Sequence, residues 1–295
     1  IKEITVGNAG SLYTTPPDVT FTAGTTNPDA TAVLEQYGVI NRIDISDGGS
    51  TYTGTPTITI EEPNQVTFDT FSDISGTTFT LPNNPFTNNL RIVYDNNSGS
   101  ESIGLSSGTI YYVVNKSGDN FGLASSQGGS AISLSPSADS SSAESHSLKG
   151  VNAEATLTAS AGVITGITIT EQGTLYDGNS LPSITFSEDV GANAASLQVY
   201  CGRSINNIAI NSRGSGYTSA PTVSIANATG DTTGGGGAAT ATIGFPIGSV
   251  NITNVGAGYN FTPTILIQGG NPITDAVLQP AFSKRNGRLS GIEIT

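Results

Sequence analysis

The sequence predicts an all-β protein: tandem three-stranded β-repeats of about forty residues that form an elongated array, with a small β domain inserted among them. Three observations predict it. One turn-centred phrase is written five times along the chain. The 295 residues include 37 glycines, only 11% are charged, and no long apolar run occurs, which describes a turn-rich β chain and excludes a disordered or helix-spanning one. The even spacing of the phrase is broken once, by a stretch of different composition.

The clearest copy runs from Ile205 to Ile225, INNIAINSRGSGYTSAPTVSI. Aligned on its tyrosine, the copies are Tyr13, Tyr52, Tyr176, Tyr217 and Tyr259, each with a glycine three residues earlier: Gly10, Gly49, Gly173, Gly214 and Gly256. Glycine takes a positive φ without steric penalty, and a tyrosine buries its ring while its hydroxyl still hydrogen-bonds. These ten residues therefore read as structural anchors of a turn that reverses the chain. A proline follows at Pro17, Pro56, Pro182, Pro221 and Pro263, suited to the first residue of a strand, where no amide donor is needed. Leu12, Thr51 and Leu175 replace the glycine that precedes the tyrosine in Gly216-Tyr217, so the turn is not expected to be uniform.

Taken in order, each unit has three strand-like pieces. A small-residue run opens it, as in Ala30-Thr31-Ala32-Val33-Leu34 and Ala239-Thr240-Ala241-Thr242-Ile243. A second piece places apolar residues at a step of three and then two: Ile40, Ile43, Ile45; Ile164, Ile167, Ile169; Ile205, Ile208, Ile210; Ile247, Val250, Ile252; Leu289, Ile292, Ile294. Strict alternation would put the first of each set on the wrong face, so the step of three predicts a bulge. The third piece follows the proline, as in Ile58 and Ile60 or Val223 and Ile225. Burying a large apolar side chain stabilises by ~1.5 to 3 kcal/mol, and about eight of them do not offset the ordering of about forty residues. A unit therefore needs a partner, either another repeat of the chain or a repeat of another subunit.

The break falls between Ile60 and Ala153. Residues 1–63 and 152–295 read as β-repeats, the first and last partial, and 64–151 as an inserted β module that projects sideways from the array. Its strand-like runs include Leu90-Arg91-Ile92-Val93-Tyr94 and Thr109-Ile110-Tyr111-Tyr112-Val113-Val114. Phe68, Phe71, Phe79, Phe86 and Phe121 supply a small core or, in part, a binding face. The first residues match Ile40 to Ile45 and the last match Gly38 to Ser46, so the chain reads as a window of a longer protein.

A net charge of −13 with ten basic residues argues against nucleic-acid binding. No membrane insertion, cofactor or metal is expected, there being no Asp-x-Asp-x-Asp loop of calcium type. The single cysteine, Cys201, excludes an internal disulfide and reads as a buried, inert thiol. His146 lies in a Ser-rich stretch that, read as a loop, cannot hold a serine triad. Glu61 with Glu62 and Asp69 with Asp73 are the nearest carboxylate pairs for glycan cleavage, but neighbours in a strand face opposite ways. Gly256-Ala257-Gly258 is followed by a strand, not the helix a dinucleotide fingerprint needs, and Gly234 to Gly237 read as a flexible connector. No catalytic residue is assigned.

Gly104-Leu105-Ser106-Ser107-Gly108-Thr109-Ile110-Tyr111-Tyr112-Val113-Val114-Asn115, with Phe121-Gly122-Leu123-Ala124 and Gly128-Gly129-Ser130-Ala131-Ile132, resembles a GLxxGTxYYVVN module of tail-fibre and other virion proteins of tailed bacteriophages. The Gly-Ser-Gly-Tyr-Thr-Ser-Ala-Pro-Thr-Val-Ser-Ile phrase is similar to tandem repeats of large structural proteins of such phages, including those of marine cyanobacteria. The resemblance implies a non-enzymatic fibre, spike or tail-associated component at the virion surface. It also implies a homo-oligomer, a trimer in the favoured case, with other virion proteins and a host-surface glycan or protein as partners. A bacterial extracellular adhesin is the alternative, and a glycan-cleaving tailspike a minor one.

Overall fold

The computed structural model describes residues 1–22 and 24–244, positions 250, 252 and 265, and two strands within 278–294. The protein is all-β and its sheets are antiparallel; a single 3-10 turn, Gly191–Asn193, interrupts the strands of the described residues. The phrase built on Gly256 and Tyr259, and the bulge expected after Ile247, lie outside the described residues.

The chain runs through β1 (Glu3–Ser11), β2 (Asp18–Phe21), β3 (Asp29–Leu34), β4 (Tyr37–Asp47) and β5 (Ile58–Ile60). It then enters β6 (Gln65–Asp69), β7 (Ile74–Ser75), β8 (Thr78–Thr80), β9 (Arg91–Asp95), β10 (Ile110–Ser117), β11 (Asn120–Ala124) and β12 (Ser145–Gly150). These form one seven-stranded sheet in the order β6-β12-β9-β10-β11-β8-β7. The return path is β13 (Glu154–Ser160), β14 (Val163–Glu171), β15 (Tyr176–Asp177), β16 (Ile184–Phe186), β17 (Ser196–Gly202), β18 (Ile205–Ser212), β19 (Val223–Ala226) and β20 (Gly235–Thr242). A hairpin of β21 (Leu278–Ser283) and β22 (Arg288–Ile294) follows.

The strands on either side of a Gly-x-x-Tyr turn do not pair with each other; the turn carries the chain from one wall to another instead of forming a hairpin. β1 pairs with β20, β2 with β19 and β3 with β18. These three two-stranded walls enclose Tyr13, Ala32, Leu34, Ile205 and Ile208. The same rule recurs in β4 with β17, β5 with β16 and β13 with β14, around Ile40, Ile43, Ile60, Tyr176 and Val199. The unit that packs is therefore turn strand, proline strand, small-residue strand, one step out of phase with the sequence reading. β1-β2-β3 is clasped by β18-β19-β20, and β4-β5-β13 by β14-β16-β17. The outer module joins the first and last of these four units, distant in the chain, and the inner module joins the two consecutive units between them. The second module fills the connection between β3 and β18, and the seven-stranded sheet fills that between β5 and β13, so three bodies are nested.

The step of three is a bulge wherever it is described. Register slips at Asn41, Thr165, Asn206 and Ser290, one residue after the first apolar position of each set. A second recurrent slip, at Gly7, Ser46, Thr170 and Asn211, re-aims the strand just before the turn glycine.

The seven-stranded sheet does not project freely. Its core of Phe68, Phe79, Phe86, Phe121 and their neighbours takes in Leu175 from the second module and has Tyr37 against it. Phe79 stacks on Phe121 at 5.2 Å and meets Phe68 edge-on at 5.1 Å. Only Phe71 of the five phenylalanines is exposed, at 44%, so they form a core and not an aromatic binding face. Arg91 of β9 holds Glu171 through two hydrogen bonds, 3.1 and 2.9 Å, and Thr174 donates its hydroxyl to the Arg91 carbonyl at 2.7 Å.

Candidate functional site: the turn anchors and the groove between the bodies

At every described turn the glycine has positive φ: 60° at Gly10, 66° at Gly49, 68° at Gly173 and 63° at Gly214. A Cβ there would meet a backbone nitrogen of the facing small-residue strand or its approach, at 2.6 to 2.7 Å: Gly237, Ala195, Ala153 and Pro28 respectively. Contrary to the expectation of a variable turn, the residue before the tyrosine is also left-handed in every described copy: Leu12 at 60°, Thr51 at 69°, Leu175 at 59° and Gly216 at 78°. Three non-glycine side chains thus tolerate a conformation that costs them ~1–2 kcal/mol. A side chain two residues before the glycine caps its amide in three copies: Asn8 at 3.0 Å, Asp47 at 2.9 Å and Glu171 at 3.1 Å.

The tyrosines turn back into the module they close. Tyr13, Tyr52 and Tyr176 are buried, and their hydroxyls accept from the amides of Gly237 (3.0 Å), Ala195 (2.9 Å) and Ala153 (2.8 Å). Tyr217 differs. Its hydroxyl lies against Gly24, buried without a partner among the described residues, and the nitrogen that faces its turn glycine, where the other copies offer an amide, belongs to Pro28 and carries no hydrogen. Gly235 to Gly237 are not a flexible connector: they begin β20, where Gly234 and Gly237 leave room for the Tyr13 ring and hydroxyl. The nearby Asp231 carboxylate accepts from the amides of Thr14, Thr233 and Gly234 at 2.8, 3.0 and 3.1 Å. Burial opposes its ionisation, but these amides and that of Thr15 outweigh it and hold the carboxyl down at about 2.

The other candidates are dispersed. His146 is not in a loop but in β12, sealed in the core, with Nδ1 2.7 Å from Tyr94 Oη and Nε2 3.1 Å from Glu144. Burial, aided by Glu101 and Glu144, pushes the Tyr94 hydroxyl up to about 12. The amides of Glu101 and Ser100, then His146, hold Glu144 down at about 2. This network pins the turn around Ser100 to the sheet, and no substrate reaches the imidazole. The Asp69 carboxylate accepts from the amides of Phe71 and Ser72, that of Asp73 accepts from the amide of Asp69, and that of Glu61 accepts from the amide of Ser183, so these carboxylates serve the backbone. Cys201 is buried, and burial pushes its thiol up to about 11, far from a reactive thiolate.

Where the three bodies meet, a groove of about 850 Å³ opens. The first module supplies Arg203 and Asn206, the second Gln36, Tyr37 and Gln172, and the seven-stranded sheet Asn83. Sequence reading missed it because its residues come from segments far apart in the chain. No known protein family, no curated protein and no solved structure matches the chain.

Proposed function

We propose that the chain is a non-enzymatic structural component of an extracellular fibre: a phage tail fibre, spike or tail-associated protein at the virion surface. The observation that carries this reading is that two modules are built by one repeated clasp, each closing its own core, with a further body locked between them. Such construction makes a stiff spacer. The reading joins that construction to the fibre-like phrases at Gly104–Asn115 and Ile205–Ile225 and to an acidic surface that keeps β-rich chains apart. The repeats stack into an elongated array, and the fibre is a homo-oligomer, trimeric in the favoured case. Because each module fills its core from one chain, that assembly uses the outer walls.

Immunogold labelling of intact particles and host cells with antibodies to the recombinant chain tests it. Label on virion tails is expected. Label confined to a bacterial envelope identifies an adhesin instead, and release of reducing ends from host polysaccharide overturns the non-enzymatic assignment. Light scattering that shows a monomer at every concentration removes the trimer.

A further inference from the structure

Four planar amide side chains and one guanidinium line the groove between the three bodies: Gln36, Asn83, Gln172, Asn206 and Arg203, with the Tyr37 ring among them. Its volume of about 850 Å³ lies in the range of small-molecule sites, ~300–1,000 Å³. An amide offers a donor pair beside an acceptor. A wall of such groups matches a ligand that is itself dense in groups that both donate and accept.

The amides are free to be used. The side chains of Asn83, Gln172 and Asn206 make no hydrogen bond among the described residues, and Gln36 commits only its Nε2, to Asp177 at 3.0 Å. Arg203 is under-used as well. Its Nε is buried with no partner among the described residues, and Nη1 makes only long bonds, 3.5 Å to the Glu35 carbonyl and 3.4 Å to Asn179.

The backbone that carries three of them is fixed. Asn206 is the extra residue of the β18 bulge, which turns its side chain off the strand's alternation. Asn83 sits at φ 55° with its backbone N–H donating to the Asp119 carboxylate at 3.1 Å. Gln172 follows Glu171, which Arg91 holds at 2.9 Å.

We infer that this groove binds an oligosaccharide, the amides of Gln36, Asn83, Gln172 and Asn206 pairing with vicinal hydroxyls and Arg203 donating to a ring, hydroxyl or carboxylate oxygen. The site rests on the reading of the chain as a surface fibre and sharpens it: contact with a glycan is made where the bodies join, not on the inserted sheet alone. A nucleic acid or polyphosphate does not suit the net charge of −13 and one guanidinium.

The test uses the full chain against immobilised panels of neutral and uronic-acid oligosaccharides and of peptides, followed by calorimetry on any sugar retained. Binding of at least one oligosaccharide is expected. The triple variant Asn83→Gly, Gln172→Ala, Asn206→Ala, which removes no hydrogen bond of the fold and keeps a residue suited to φ 55° at position 83, should bind about tenfold or more weakly with an unchanged circular dichroism spectrum and melting temperature. Arg203→Lys should weaken binding as well. No retention of any oligosaccharide at millimolar concentration, unaltered affinity of the triple variant, or retention of peptides in place of sugars would each overturn the site. Labelling of virion tails is read independently, so the fibre assignment survives a groove that binds nothing.

Discussion

Two tyrosine-to-phenylalanine changes at equivalent turns should have opposite consequences. In Tyr176→Phe the buried Ala153 amide loses the hydroxyl that accepts it at 2.8 Å. A net hydrogen bond is worth ~0.5–1.5 kcal/mol, and a buried donor left unpaired costs ~1–3 kcal/mol, so Tyr176→Phe should destabilise the second module by about 1–3 kcal/mol. In Tyr217→Phe the hydroxyl removed has no partner among the described residues, and Pro28, at the turn position that supplies the amide in the other copies, offers no N–H. That change should be neutral or slightly stabilising. The link is testable through Pro28→Ala, which supplies an amide. The gain of about 1 kcal/mol is partly offset by the ~0.4–1 kcal/mol that proline contributes by restricting the unfolded chain. The coupling between Pro28→Ala and Tyr217→Phe is therefore the cleaner measure, and about 1 kcal/mol is expected in a double-mutant cycle. Urea unfolding followed by far-UV circular dichroism supplies the free energies, and amide exchange at Ala153 localises the loss. Equal destabilisation by Tyr176→Phe and Tyr217→Phe, or zero coupling with Pro28→Ala, would refute the assignment of the hydroxyl as the acceptor that closes each module.

Thr51 is exposed at φ 69°, so Thr51→Gly should raise stability by about 0.5–1 kcal/mol in urea titration, the relief of strain exceeding glycine's added freedom in the unfolded chain. Leu175→Gly should do the reverse, losing about 2–5 kcal/mol, because that side chain fills the inserted core. Asp231, held at about 2 against an unfolded value near 3.9, contributes about 2.5 kcal/mol that is fully present above about pH 4 and lost as pH falls toward 2. Asp231→Asn should lower stability at pH 7 and flatten that acid limb, as read from urea midpoints across pH 2–6. Glu171→Gln should loosen the seven-stranded sheet on the second module; with both partners about a third exposed, screening limits the effect to about 1 kcal/mol or less, visible as faster amide exchange at Thr174 and Val151.

Much of the local structure was legible. The bulges at Asn41, Thr165 and Asn206 follow from an apolar step of three, and the left-handed glycines from turn chemistry, because both are decided within a few residues. Side-chain clues that depend on a distant partner were not legible. His146 was read as lying in a loop because serines surround it, yet pairing with β6 makes it a strand residue between Phe68 and Tyr94. Gly234 to Gly237 read as a connector because Tyr13, whose ring and hydroxyl lie against Gly234 and Gly237, is more than two hundred residues earlier. The groove residues carry no shared motif, and only the nesting of the bodies brings them together.

By itself the sequence determined an all-β chain, the positions of its turns and bulges, and the faces to be buried. Tertiary structure decided which strand meets which. Every small-residue strand carries the same alternation and so matches every bulged strand about equally well: β13 takes its neighbour β14, whereas β3 takes β18 across the whole second module. Local free energies are nearly the same for these pairings. Closure of three walls around one core selects among them, and only the assembled module measures that.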